Sequence, residues 1–177
     1  MNKKLRFIVD MDDVLADASQ AIIDIFNELN HTQIEKSFFE TTNFYEFVNS
    51  GKYQTYRHRL FEPGFFGNQD VIPDAQEVLK ELSEKHEVFV VSSATEFPNS
   101  LKEKFDWMQR NFPFISWRNF ALCGDKSIIK GDVMIDDHEK NLSKFEGRAI
   151  LFEAAHNHHL KDYERVKTWK EIAEKFL

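Results

Sequence analysis

The chain has 177 residues, enough for one domain with an inserted subdomain and a sizeable core. Its 23 Lys and Arg against 30 Asp and Glu leave a net charge of −7, which argues against a surface for nucleic-acid polymers but not against one nucleotide held by a local cation. A single cysteine, Cys123, excludes an intramolecular disulfide and fits a reducing, cytoplasmic setting. The basic residues before Leu5 are followed by too few apolar ones for a signal sequence, and no run approaches the ~20 needed to cross a membrane.

The first predicted strand, Leu5 to Asp10, runs apolar and ends in acids, Asp10-Met11-Asp12-Asp13. Asp10 and Asp12 are two apart, so in extended chain they point the same way. Two such carboxylates repel unless a cation or a shared proton relieves them, although an Asp-rich surface turn reads the same way. The stretch from Asp17 to Ile72 opens with an amphipathic helix (Ile22, Ile25, Phe26, Leu29) and continues rich in aromatics. It is far longer than a strand-to-strand crossover requires. It reads as a helical cap, residues 17–72, on a core of residues 1–16 and 73–177.

A helix from Pro73 to Lys85 buries Ala75, Val78, Leu79 and Leu82 at the helical period. A strand from Glu87 to Ser92 follows and ends in Ser92-Ser93-Ala94-Thr95, whose hydroxyls and amides suit either phosphate oxygens or a plain helix cap. Leu101, Phe105, Met108 and Phe112 mark the apolar face of a further helix. The strand Phe120 to Cys123 leads to Lys126, which as a lone loop lysine reads as solvated but is also the cation that a transferring phosphoryl group requires. Val133 to Ile135 ends in Asp136-Asp137, which alone could be a polar turn but supplies hard oxygen ligands suited to Mg²⁺. After a strand from Ala149 to Phe152, His156, His158 and His159 form no complete zinc set and read as a solvated or locally bonded loop. A final helix opens on the capping-box pattern Thr168 to Glu171 and buries Trp169, Ile172, Ala173 and Phe176. Strands alternating with helices predict an α/β fold: a Rossmann-like parallel sheet with helices on both faces, its ligand beyond the carboxyl ends of the strands.

In this order, strand–Asp-x-Asp, strand–Ser, Lys and strand–Asp-Asp resemble the haloacid dehalogenase superfamily of phosphatases. Val9 to Asp17, Pro63-Gly64-Phe65-Phe66, Asp125-Lys126, Ile135-Asp136-Asp137 and His156 to Leu160 resemble its 5′(3′)-deoxyribonucleotidase family. The resemblance implies hydrolysis of a small phosphate monoester, a nucleoside monophosphate, through a phosphorylated Asp10. Asp12 would act as acid and base, and Ser92, Ser93 and Lys126 would hold the phosphate. Mg²⁺ would sit on Asp10, the main-chain carbonyl of Asp12, and Asp137, with Asp136 supporting. Two positions depart from the family: Asp13 replaces a usual Gly, and Ala18 replaces an aromatic of the base pocket. For the base, Phe44, Tyr45 and Phe61 have no clear core period and are the stacking candidates.

Two other readings compete. A sugar phosphate would serve the same catalytic set, because cap residues choose the substrate. A phosphoacceptor signalling module also uses Asp, Lys and a hydroxyl, but carries no long insertion directly after the first strand.

Overall fold

A computed structural model describes residues 4–177; residues 1–3, part of the basic start of the chain, lie outside it. Six strands run parallel: β1 (Arg6–Val9), β2 (Glu87–Ser92), β3 (Phe120–Leu122), β4 (Val133–Asp136), β5 (Arg148–Phe152) and β6 (Glu164–Val166), in the order β3-β2-β1-β4-β5-β6. The central strands are apolar throughout because both sides are covered. Phe7 and Val9 join Val90 and Ile135 on one face, and Ile8 joins Val91 and Met134 on the other.

The first face carries three helices, α3 (Ala75–Lys85), α4 (Ser100–Asn111) and α6 (Trp169–Phe176), which bury Leu79, Leu82, Trp107, Trp169 and Ile172 against it. The second is covered by the short α5 (Glu139–Leu142) and by loop residues such as Ile129, Phe145 and Tyr163. Thr168 caps α6 as expected, its hydroxyl accepting from the Glu171 amide at 3.3 Å. Residues 18–60 form an apolar cluster of their own, built on α1 (Ala18–Asn30) and α2 (Phe44–Val48) and drawing in Ala155. Their ends meet: Ala16 bridges Val71, and the Asp17 amide donates to Asp70 O at 2.9 Å. Among the described residues no helix is long and apolar enough to cross a membrane.

Strand β6 has no sequence signature, being three residues of which two are charged. It is held at the sheet edge by a bidentate pair, Arg148 Nη2 and Nε to the Glu164 carboxylate at 2.7 and 2.8 Å. That bonding lowers the Glu164 carboxyl from its ordinary 4.5 to about 2. A depressed carboxylate stabilises the fold above its unfolded pKa, and the contribution fades as pH falls from about 4.5 towards 2. Glu164→Gln is therefore expected to lower Tm by about 2 °C at neutral pH, a half-exposed pair being worth ~0.5–1 kcal/mol. By calorimetry that difference should shrink at pH 2.5.

The apolar face assigned to α4 is shifted. Phe105 is 39% exposed, while Trp107 and Lys104 are buried at 0% and 1%. A buried lysine is tolerated here because carboxylate and hydroxyl partners wait for it on other elements.

Candidate active site

The strand order reverses at β1, and the carboxyl ends of β2, β1 and β4 lie side by side, with Val9 paired to both Val90 and Ile135. Asp10 and Asp137 therefore meet without contact in sequence. Asp10 is buried, its amide bonded to Ile135 O at 2.9 Å. Lys126 enters from the turn after β3 and is 2% exposed. Its ammonium bridges Asp10 Oδ1 at 2.5 Å and Asp136 Oδ2 at 2.7 Å. Burial alone would lower the Lys126 pKa, but the two carboxylates outweigh it and the net shift is upward. This lysine is a permanent cation.

Asp10, Asp136 and Asp137 each present an oxygen within 4.8 Å of the others. Asp136 is fully bonded: besides Lys126 it accepts from Asn141 Nδ2 at 2.9 Å and from the His138 amide at 2.9 Å. Asp137 differs. Its Oδ1 is buried with no partner, and its carboxyl is held well above the usual range, first by burial and then by Asp10, Asp136 and Asp13. Three buried acids with one lysine between them lack positive charge, and a hard divalent cation fits that donor set.

Sequence reasoning missed two residues here. Lys104 pairs with Asp12 Oδ2 and donates to Ser92 Oγ at 2.8 Å, placing a second buried cation beside the site. His156 lies 3.2 Å from Asp137 Oδ2 through Nε2, stacked on His138 at 4.4 Å between centroids. Burial, then His138 beside it, lowers His156 to about 3, so it is a neutral ring orienting a carboxylate. The sequence signals nearby were the histidines of 156–159, which form no complete zinc set, and the family resemblance of His156 to Leu160; neither gives His156 this contact.

Ser92 is fully buried behind the site, and Ser93 lines the cavity with a buried, unpartnered hydroxyl. Asp13 sits at φ +54°, a left-handed conformation that suits the glycine implied by the resemblance and that Asp also tolerates. Its carboxylate accepts from both the amide and hydroxyl of Ser19 at 2.7 Å, tying the Asp10 loop to α1. Burial raises Asp13 to about 6, against the opposing effects of Lys36 and Ser19.

A cavity of about 240 Å³ opens above these groups. Asp10, Asp12, Asp137 and Lys104 line it together with Tyr45, Tyr56, Phe65, Phe66 and Phe97. Ala18 also lines it, a small side chain at the position where the resemblance implied an aromatic. Of the three stacking candidates the structure brings only Tyr45 to the cavity, its ring 5.4 Å from His156 and 42% exposed. Phe44 is 1% exposed, its ring 4.8 Å from Phe39 inside the apolar cluster, and has no free face for a base. Phe61 is 51% exposed but lies against Phe97 and is not part of the lining.

A family model described as "5' nucleotidase, deoxy (Pyrimidine), cytosolic type C protein" matches residues 4–177. The 5′(3′)-deoxyribonucleotidase of Bacillus subtilis (strain 168) is 41% identical over 169 residues, the match covering 96% of each chain. Among solved structures, a haloacid dehalogenase-like hydrolase of Streptococcus pneumoniae superposes over the whole of both chains with a TM-score of 0.59 at 12% identity. A HAD-hydrolase of Bacillus subtilis, solved bound to magnesium, gives 0.55 at 10% identity over 98% of this chain and 99% of that one. The chain belongs to the 5′(3′)-deoxyribonucleotidase family, phosphatases of the haloacid dehalogenase fold.

Proposed function

We propose that this phosphatase hydrolyses nucleoside monophosphates, deoxyribonucleotides foremost, through an aspartyl-phosphate on Asp10, with Mg²⁺ as its metal. The observation that carries this reading is the cavity itself. Asp10 and Asp12 both line it, Asp10 paired with the buried Lys126 and Asp12 with the buried Lys104, and aromatic rings share the lining. Residues 17–72 act as the cap that supplies most of those rings.

Mg²⁺ would be held by Asp10, Asp137 and the main-chain carbonyl of Asp12. There it would neutralise phosphate oxygens so that a carboxylate can approach a dianion. The unpartnered oxygen of Asp137 and the saturated bonding of Asp136 favour Asp137 as ligand and Asp136 as the group that orients Lys126. The magnesium bound to the Bacillus subtilis hydrolase of similar fold is in keeping with Mg²⁺ as the metal.

Asp10 attacks phosphorus, and the bond from phosphorus to the ester oxygen breaks. Asp12 delivers a proton to the departing oxygen, its Oδ1 being buried and without a partner. Water then attacks the same phosphorus, Asp12 takes up the proton, and the Asp10–phosphorus bond breaks to release inorganic phosphate. Lys126, Lys104 and the Ser93 hydroxyl hold the phosphate oxygens through both displacements. A cytoplasmic location accords with the single unpaired Cys123.

The test is phosphate release from ribo- and deoxyribonucleoside 5′- and 3′-monophosphates and from sugar phosphates. Nucleotides are expected to lead by about tenfold or more, as base stacking of ~1–3 kcal/mol allows. Activity should drop to background in EDTA and return with Mg²⁺ but poorly with Ca²⁺, whose longer bonds and higher ligand number misplace the nucleophile. A preference for sugar phosphates, or full turnover in chelator, would overturn the assignment.

A further inference from the structure

Helix α4 has two working faces. One stripe, Asn99, Glu103, Trp107 and Arg110, bonds only to main chain of residues 60–69. Asn99 Nδ2 donates to Leu60 O at 3.0 Å, Trp107 Nε1 donates to Gln69 O at 2.8 Å, and Arg110 donates to Gly67 O. Glu103 is the densest contact. Its carboxylate accepts from the amides of Gly64, Phe66 and Gly67 at 2.7, 3.0 and 3.1 Å. Gly64 adopts φ +99°, a conformation that turns its amide towards the same acceptor and that a side chain would strain.

The next residue, Lys104, points the other way, to Asp12 and Ser92. Its ammonium also lies 5.0 Å from the centroid of the Phe66 ring, whose own amide is held by Glu103. Of two consecutive residues of one helix, the first thus grips the aromatic wall of the cavity and the second supplies a cation to the acids beside it.

We infer that Glu103 is a positioning residue for substrate selectivity: by clamping the amides of Gly64, Phe66 and Gly67 it sets the Phe65–Phe66 wall at a fixed spacing from Lys104, matched to a base and its phosphate. The inference rests on the reading of the cavity as a nucleotide site. A glutamine at 103 offers one acceptor oxygen and turns an NH₂ towards amide donors, so the three-way clamp cannot survive that change. A shorter aspartate keeps the charge but cannot span all three amides.

The experiment compares a 2′-deoxynucleoside 5′-monophosphate with deoxyribose 5-phosphate, in which a hydroxyl replaces the base, in Glu103→Gln, Glu103→Asp and Phe66→Ala. Both Glu103 variants are expected to raise KM for the nucleotide, about tenfold for Gln, with kcat and the kinetics of the sugar phosphate within about twofold. Amide hydrogen exchange at Gly64, Phe66 and Gly67 should quicken in both. If the two substrates suffer equally, or if exchange quickens while nucleotide KM stays put, Glu103 is only a loop anchor and the inference fails. Should Phe66→Ala lower nucleotide selectivity while neither Glu103 variant does, the cavity reading stands and the role of Glu103 alone falls. Equal effects of Phe66→Ala on both substrates would overturn the nucleotide wall itself.

Discussion

Asp10→Asn is expected to lower phosphate release by about 10⁴-fold or more, the scale seen when a catalytic nucleophile is removed. The fold should survive. Asn fills the same buried volume, and Lys126 keeps Asp136 at 2.7 Å as its partner. Asp10 is also one of the charges that push Asp137 upward, so its loss relieves repulsion in a cluster of three acids and one lysine. In chelator, Tm of the variant should equal or exceed that of the parent, and adding a divalent cation should raise it less than it raises the parent. Both readouts, steady-state phosphate release and thermal unfolding with and without metal, come from one preparation. Activity within tenfold of the parent would remove Asp10 from the role of nucleophile.

Lys126→Met should damage both stability and turnover. Methionine matches the length of the side chain, but the change leaves Asp10 and Asp136 buried without the ammonium that binds them at 2.5 and 2.7 Å. Breaking a buried pair by removing one partner costs about 3–5 kcal/mol, which for a chain of this size lowers Tm by roughly 10 °C. Turnover is expected to fall about 10³-fold, because a fixed donor to the phosphate disappears at the same time. The sign of the metal effect is the opposite of that for Asp10→Asn. With all three carboxylates present and no lysine, a divalent cation should stabilise Lys126→Met more than it stabilises the parent. If melting shows no loss of stability and no enlarged metal response, the buried charge balance described here is wrong.

The sheet and the carboxylates at its strand ends were legible because their signals are local. A parallel strand covered on both faces must be apolar along its length, so Phe7-Ile8-Val9 and Val133-Met134-Ile135 announce themselves, and Asp10 and Asp136-Asp137 stand out where the apolar runs stop. The capped start of α6 is equally local, a matter of four adjacent residues. Strand β6 was not, because an edge strand of three mixed residues depends on a partner strand and an ion pair.

Tertiary structure decided the rest of the site. Lys104 belongs to a helix whose neighbours Leu101, Phe105 and Met108 offer a credible apolar face; it is turned inward by Asp12, 92 residues away, and Ser92. Phe44 and Tyr45 are adjacent aromatics that no sequence rule separates, yet the helix that carries both turns one into a core and the other towards the cavity. His156 gained its role only when the end of β5 came to lie beside the end of β4, bringing it to Asp137. Glu103 binds main-chain amides, and an amide has no residue type to recognise in a sequence. What the sequence determined by itself is where the backbone must be apolar and where such a run ends in chemistry. Which distant groups meet at those ends depends on strand order and helix rotation, because burial of a charge is stable only when its partner, supplied from elsewhere in the chain, arrives with it.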